Sequence, residues 1–294
     1  MKYFDLHSDT LYEITPAGAS FFQNGRMVEL TNLPFESYTQ VLAVYSHPKT
    51  SADDAYAKFW RCRDHLETQK DSLPDNFHPI LSVENGSLIG DQPQRVDELA
   101  YAGVRLMNPV WADENLLGGA WNTSHGLTEF GKEIIHRAYA NGIVPDLSHA
   151  SDKMSKEILS IASRKAYPVI ASHSCARAIH PHGRNLPDEY FQEIMASGGV
   201  VGLSFCPEHL TDRVCDMDTI YRHLSHYLSL GGEDHLAIGA DWDGIDTTPN
   251  GVSTIHDIPA LAEFLRGKGW SEQLLNKIFY QNAADFFHRL KRIF

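Results

Sequence analysis

Residues 143–149 read Ile-Val-Pro-Asp-Leu-Ser-His, and residues 168–173 read Pro-Val-Ile-Ala-Ser-His. In each stretch an apolar run, typical of a strand buried on both faces, stops at a histidine. Three more apolar runs stop at a residue that could bind a metal or move a proton, so that the five endings are His7-Ser8-Asp9, Glu84, His149, His173 and Asp241. A (β/α)8 barrel builds its active site from the carboxyl ends of different strands. The pattern therefore predicts a metal-dependent site on a barrel.

The rest of the chain alternates apolar runs with helical patterns. The apolar runs predict eight strands, at 3–6, 41–45, 80–83, 104–110, 143–147, 169–171, 200–205 and 236–238. Helical periodicity predicts helices at 52–68, 95–102, 130–138, 154–162, 189–196, 218–230, 258–266 and from about 272, where Ser271 is placed to cap the last one. We expect the α/β class, a single-domain (β/α)8 TIM barrel over residues 1–294, with a long irregular first connection at 11–40.

The composition of the chain indicates which classes of partner it does not bind and in which compartment it works. The formal net charge is −13 with no cluster of Lys or Arg, which argues against nucleic acid and anionic membranes. No apolar run approaches the ~18 residues of a spanning helix, and the N-terminus does not resemble a cleavable signal. The four cysteines have no C-x-x-C spacing. We expect a cytoplasmic protein without nucleic-acid or membrane partners.

The first two of these five endings, His7-Ser8-Asp9 and Glu84, predict metal ligands. His7 and Asp9 alternate along a strand, so both side chains point the same way and could hold one divalent metal. Ordinary turn chemistry is the alternative for so short a motif. Glu84 could bridge two metals through its two oxygens, or it could pair with a barrel arginine such as Arg105.

The later endings predict a second metal and a proton carrier. His149 and His173 end successive strands, which are neighbours in a barrel, so they could share a metal. Asp241 ends the eighth strand beside the first, because the barrel closes, and we expect it to act as general base and acid. Asp243 is interpreted as a turn residue or as support for the loop. Arg184 could bind a substrate carboxylate in a forked pair, with a loop-ordering salt bridge as the alternative.

On these residues the chain resembles the membrane (renal) dipeptidase family of zinc peptidases, in the amidohydrolase superfamily. The resemblance extends over nearly the whole chain. It is most specific at 126–131, 142–149, 168–176, 184–188 and 239–244.

The resemblance implies two Zn2+ ions per chain and a dipeptide substrate. His7 and Asp9 would bind one ion, His149 and His173 the other, and Glu84 and a hydroxide would bridge them. Asp241 would carry the proton to the leaving amine, and Arg184 would bind the terminal carboxylate. The resemblance also suggests a homodimer, and it leaves room for a C-terminal D-residue in the substrate.

One position departs from the family. Many members carry a substrate-contacting histidine six residues after the Gly-Val-Arg motif, where this chain has Trp111. We expect Trp111 to form an apolar wall of the substrate pocket, and His125, Asn108 or Asn115 could supply the lost hydrogen bond. Two alternatives stay open. One is another metal-dependent amidohydrolase, acting on a cyclic amide, a lactone or an N-acyl amino acid. The other is a non-catalytic metal-binding protein.

Overall fold

A parallel sheet curls around the core of this chain. The computed structural model describes the backbone of residues 1–293 and the side chains of residues 1–291. The strands found there are β1 (Lys2–Ser8), β2 (Ser37–Tyr45), β3 (Phe77–Glu84), β4 (Val104–Asn108), β5 (Glu114–Asn115), β6 (Gly118–Gly119), β7 (Val144–Pro145), β8 (Val201–Leu203) and β9 (Leu236–Ile238). Seven of them form one sheet in the order β7-β4-β3-β2-β1-β9-β8, while β5 and β6 pair separately.

The two edges of this sheet meet through residues 170 and 171. Isolated parallel bridges join Asp146 to Ile170 and Ala171 to Val201. The run at 169–171 is therefore the missing barrel strand, reduced to two single bridges. It cannot pair further, because Pro168 has no N–H and the Ser172 N–H is bonded to the Asp146 carboxylate. The predicted α/β barrel is confirmed.

Helices pack around the outside of the sheet and across its amino-terminal end. They are α1 (Thr10–Ile14), α2 (Ala52–Gln69), α3 (Arg95–Tyr101), α4 (Glu129–Ala140), α5 (Asp152–Lys165), α6 (Asp188–Ala196), α7 (Pro207–Leu210), α8 (Met217–Ser229), α9 (Ile258–Gly267), α10 (Glu272–Asn276) and α11 (Asn282–Ile293), with a π-helical segment at Lys277–Gln281. All eight predicted helices are present, and Ser271 caps α10 by accepting the Leu274 N–H. The first connection is irregular after α1, as expected. The short α1, α7 and the β5–β6 hairpin were not predicted. None of the helices among residues 1–293 is long and apolar enough to cross a membrane.

The barrel interior is closed at its amino-terminal end by α11. Inward-facing residues from the strands, such as Phe4 and Val41, pack in one cluster with Phe286, Phe287 and Leu290 of that helix. The apolar face of α11 thus replaces solvent at the bottom of the barrel. The polar strand endings all lie at the opposite end.

We predict that Phe286→Ala destabilises the barrel. Phe286 is fully buried, so its truncation should lower the free energy of unfolding by about 3–5 kcal/mol. Urea unfolding followed by circular dichroism measures the change. Tyr101→Ala is the matched control, because Tyr101 is 92% exposed and its loss should change stability by about 0.5 kcal/mol or less. Equal effects from the two variants would contradict the assignment of α11 as the plug.

Candidate metal centre

The end of β1 meets β3 and the loop after β9 around one imidazole. The Nε2 atom of His7 lies 3.6 Å from Asp9 Oδ2, 3.7 Å from Glu84 Oε2 and 3.8 Å from Asp241 Oδ1. All four side chains are buried. Closure of the barrel therefore brings Asp241 beside the β1 residues, as its position after the eighth strand predicted.

Glu84 also faces a second pair of imidazoles with its other oxygen. Its Oε1 lies 2.9 Å from His149 Nε2 and 3.6 Å from His173 Nε2, and the two Nε2 atoms are 2.9 Å apart. One carboxylate thus stands between two donor groups. Pairing with Arg105 was wrong, because that exposed side chain donates to the backbone carbonyls of residues 100 and 104.

These donors suit a cation. Three overlapping sets have ligand atoms within 4.8 Å of one another: His7, Asp9 and Glu84; Glu84, His149 and His173; and His7, His173 and Asp241. Two buried atoms of the cluster, His7 Nε2 and Asp9 Oδ1, have no hydrogen-bond partner. Burial of an unpaired polar atom is costly, and imidazole with carboxylate is a donor set that divalent transition metals prefer.

The carboxyl groups of the cluster differ in pKa. Burial and the charge of Glu84 raise the pKa of Asp9 to about 8, and burial raises that of Asp241 to about 6. Burial alone would raise the pKa of Glu84 too, but His7 and His149 hold it below its usual range. Glu84 therefore stays ionised at neutral pH.

The imidazoles of the cluster differ in charge. Burial, followed by the nearby Arg184, lowers the pKa of His149 to about 4. Burial and the neighbouring His7 lower the pKa of His173 well below its usual value. Burial opposes protonation of His7, yet Glu84 and Asp9 raise its pKa well above normal. Two neutral imidazoles offer lone pairs, and a metal at His7 would take the place of a proton.

Hydrogen bonds fix which nitrogen of each ring faces the centre. His149 Nδ1 lies 3.0 Å from the Trp111 carbonyl oxygen, which only accepts, so Nδ1 carries the proton and donates. His173 Nδ1 lies 2.7 Å from Ser172 Oγ. Both rings thereby turn Nε2 toward Glu84, an arrangement typical of metal-binding histidines.

Two buried aspartates that the motif analysis missed align the strand ends. Asp146 Oδ1 accepts the backbone N–H groups of Ser148 at 3.0 Å and Ser172 at 2.9 Å, each one residue before a candidate ligand. Asp5 Oδ1 likewise accepts the N–H groups of His7 at 3.0 Å and Ala240 at 3.2 Å. The signal was present in the sequence, since an acid inside an apolar strand must be hydrogen-bonded to be tolerated.

The backbone at two site residues is strained. His149 and Asp241 have φ of 74° and 68°, in the left-handed region that side chains other than glycine rarely adopt. Gly244 lies against the same centre. A Cβ there would stand 2.3 Å from Asp9 Oδ2 and 2.5 Å from Asp241 Oδ1, so only glycine fits.

Asp243 holds the first connection over the site. Its carboxylate accepts the Thr10 hydroxyl at 2.6 Å and the Met27 N–H at 2.7 Å. The interpretation of Asp243 as loop support is therefore correct, and it ties residues 10–27 to the loop after β9.

Arg184 reaches the centre from the loop after residue 171. Its guanidinium is buried and donates to Ser174 Oγ and to the His173 carbonyl, each at 3.2 Å. Its Nε has no partner, and no carboxylate of residues 1–291 lies within 4 Å of it. The loop-ordering salt bridge is thus absent from the described residues, and the buried Nε–H of Arg184 is left unpaired.

Trp111 packs beside His149. Its ring centroid lies 5.9 Å from that of His149 and 5.0 Å from that of Tyr45. The suggested replacements for the family histidine are engaged elsewhere. Asn108 donates to the Ser148 carbonyl, Asn115 donates to Asn85 and Pro109, and the exposed His125 pairs with Glu114.

The chain is similar in sequence to known proteins. A family model described as membrane dipeptidase (peptidase family M19) matches residues 49–292. An uncharacterized protein of Klebsiella pneumoniae, from the pqqA 5′ region, is 34% identical over 216 residues, covering 69% of this chain and 78% of that protein. Human dipeptidase 3 is 30% identical over 223 residues, which are 73% of this chain but only 45% of the human protein. The chain thus spans less than half the length of human dipeptidase 3.

A solved structure has the same fold. It is a metallopeptidase from Rhodobacter sphaeroides, liganded with a phosphinate mimic of the dipeptide L-Ala-D-Ala. The two chains superpose with a TM-score of 0.90 at 23% identity, covering 100% of this chain and 99% of the other. The barrel and the placement of its elements are therefore shared.

We predict that Asp146→Ala weakens metal binding. The change leaves two buried backbone N–H groups without an acceptor and loosens both His149 and His173, so affinity for zinc should fall about 10–100-fold. A competition titration with a chromogenic chelator measures it. Asp146→Asn keeps an acceptor oxygen at the same place and should lose less. Undiminished zinc affinity in the alanine variant would show that Asp146 does not position the ligands.

Proposed function

The chain belongs to the membrane dipeptidase family of metal-dependent peptidases, and we propose that it is a binuclear zinc dipeptidase built on a single barrel domain. The observation that carries this proposal is Glu84, whose two oxygens face two different sets of donors. Such a carboxylate suits a bridge between two metals.

The ligands divide between the two sides of Glu84. His7 and Asp9 would hold one zinc ion, and His149 and His173 would hold the other, with Glu84 and a hydroxide between them. Bound zinc supplies a Lewis acid for the scissile carbonyl and lowers the pKa of water toward ~7. Neutral imidazoles and ionised carboxylates are the ligand forms that this chemistry requires.

Asp241 would move the proton. Its Oδ1 faces His7 at 3.8 Å, and burial raises its pKa to about 6, closer to neutrality than an ordinary carboxyl group. A group with such a pKa can take a proton from the nucleophile and release it to the leaving amine. The left-handed backbone of Asp241, with φ of 68°, is a strained conformation of the kind that clusters at functional sites.

Arg184 would limit the enzyme to short substrates. Its unpaired Nε could donate to the terminal carboxylate of a dipeptide, while Ser174 and the His173 carbonyl hold the guanidinium in position. A carboxylate clamp that contacts the backbone of a candidate ligand would favour substrates whose terminal carboxylate lies close to the scissile bond. The D-residue in the mimic bound by the Rhodobacter sphaeroides relative supports tolerance for a C-terminal D-residue here.

Trp111 would shape the other half of the pocket. Its indole and the Tyr45 ring form a T-shaped pair beside His149. We propose that this pair packs against the side chain on the amino side of the scissile bond.

We predict that Asp241→Asn abolishes most turnover while the protein keeps its bound metal. The amide has nearly the same shape but cannot accept the proton, so kcat for an L-L dipeptide should fall by about 10²–10⁴. Metal content is measured on the same samples. Asp246→Asn, an exposed acid five residues later, is the control and should keep kcat. Normal turnover in the Asp241 variant would remove its role as proton carrier.

We predict that Arg184→Ala raises KM only for substrates with a free carboxylate. A hydrogen bond to a charged group contributes about 1.5–3 kcal/mol, so KM should rise about 10–100-fold for free dipeptides. C-terminally amidated dipeptides should change much less. Arg213→Ala, at an exposed arginine, is the control. A KM insensitive to the carboxylate would favour an amidohydrolase acting on cyclic amides, lactones or N-acyl amino acids.

A further inference from the structure

A large cavity lies at the amino-terminal end of the barrel, beside α11. Its volume is about 1330 Å³, above the ~300–1,000 Å³ that is usual for small-molecule sites. It is lined by the amino-terminal ends of β1, β2 and β3 and by α11, and it continues around β3 to the end of α2, where Leu66 and Lys70 line it. None of the candidate metal ligands lines this cavity, so the proposed reaction does not use it.

One side of the cavity is apolar. Phe4 and Ile80 from the strands and Phe287 and Leu290 from α11 line it, and all four belong to the cluster that closes the barrel. The rings of Phe4 and Phe287 are stacked, with their centroids 5.2 Å apart. Apolar surface of this kind favours the apolar part of a ligand over water.

Polar side chains from neighbouring strands face the same cavity. Phe4, Thr39 and His78 are paired in register across β1, β2 and β3, so they form one row with about 4.8 Å between neighbouring strands. Thr39 lies two residues before Val41 and His78 two before Ile80, so alternation turns both side chains toward the barrel interior. Thr39 is only 7% exposed, yet its hydroxyl has no hydrogen-bond partner among residues 1–291. This hydroxyl is therefore available to a ligand in the cavity.

Two lysines that line the cavity have no acidic partner. Lys2 lies two residues before Phe4 on the same face of β1, and its Nζ lies 5.3 Å from the centroid of the Tyr280 ring. Lys291 lies one turn after Phe287 on α11. No carboxylate of residues 1–291 lies within 4 Å of either ammonium group, although the net charge of the chain is −13. Both lysines can therefore attract an anion.

The acids that line the cavity do not neutralise these lysines. Glu67 lies 3.7 Å from Lys70, and Asp285 accepts the side-chain amide of Gln281 at 2.8 Å. The third acid, Asp75, is exposed to solvent. The cavity thus combines an apolar side with unpaired positive charge, which is the complement of a molecule that has an apolar chain and a negative head group.

We propose that this cavity binds an anionic amphiphile, a molecule with a carboxylate head and an apolar chain, such as a free fatty acid. Lys2 and Lys291 would bind the head group, and the Thr39 hydroxyl would donate to it. The chain would cover the apolar side formed by Phe4 and Phe287. The cavity and the candidate metal centre lie at opposite ends of the barrel, so this inference goes beyond the proposed function and does not depend on it.

The test compares octanoate with octanol, which has the same chain without the charge. Calorimetric titration of the zinc-loaded protein should show about tenfold tighter binding of octanoate, because two exposed charge pairs contribute up to about fivefold each. Octanol that binds as tightly as octanoate would overturn the proposal. Neither result depends on whether the protein hydrolyses dipeptides.

Variants locate the bound molecule. Lys2→Gln and Lys291→Gln should each weaken octanoate binding about threefold, and together they should bring it to the level of octanol. Lys153→Gln, at an exposed lysine of α5, is the matched control and should change nothing. Ala284→Phe should abolish binding of both probes, because Ala284 lines the cavity and a ring there would fill it. Arg184→Ala should keep the affinity for octanoate.

Two further results would overturn the proposal. One is a double lysine variant that still prefers octanoate tenfold. The other is loss of octanoate binding in the Arg184 variant, because that would place the molecule in the substrate pocket. Circular dichroism checks that each variant is folded before it is titrated.

Discussion

The structure depends on a concentration of charge that the barrel buries at one end. Each of the carboxylates Glu84, Asp9 and Asp241 has an oxygen within 4.8 Å of a nitrogen of His7, His149 or His173, and all three carboxylates are buried. Burial of so many ionisable groups is unfavourable unless protons or cations compensate the carboxylates. Such a cluster suits a cation, because a bound cation would compensate the buried carboxylates.

Strand geometry alone does not fix such a set. The candidate ligand side chains come from the ends of different strands, and the barrel makes those ends neighbours. Asp5 and Asp146 then act as local organisers, because each accepts backbone N–H groups from two adjacent strand ends. At the far end, α11 closes the barrel with an apolar face. The amino-terminal end of the barrel is therefore closed by apolar packing, and the carboxyl-terminal end carries the cluster of candidate metal ligands.

Much of this organisation could be read from the sequence. Continuous apolar runs predicted the strand positions. The polar residues at the ends of these runs predicted the cluster, because the carboxyl ends of parallel strands lie at the same end of the barrel. The run at 169–171 shows the limit, because its pairing is set by Pro168 and by a side-chain hydrogen bond that periodicity does not contain. The short helices α1 and α7 and the β5–β6 hairpin have too few residues to show a period.

The contacts between distant loops could not be predicted for a related reason. The rings of His182 and His209 lie 5.0 Å apart, although one belongs to a loop and the other to a short helix more than twenty residues later. The alternative pairing of Glu84 with Arg105 was wrong because the Arg105 side chain lies on the outer, exposed face of β4, away from the barrel interior. The spacing of residues in the sequence predicts which side chains are neighbours along one strand. A pocket is lined by residues from several strands and loops, so spacing does not predict it.

The central claim is that the buried cluster is a two-metal site that hydrolyses dipeptides. The most direct measurement quantifies zinc per chain on purified protein and follows L-L and L-D dipeptide turnover before chelation, after chelation and after zinc is restored. The account predicts about two zinc ions per chain, with turnover lost on chelation and recovered with zinc. Protein that binds no metal, or that turns over dipeptides equally well after complete chelation, would contradict it.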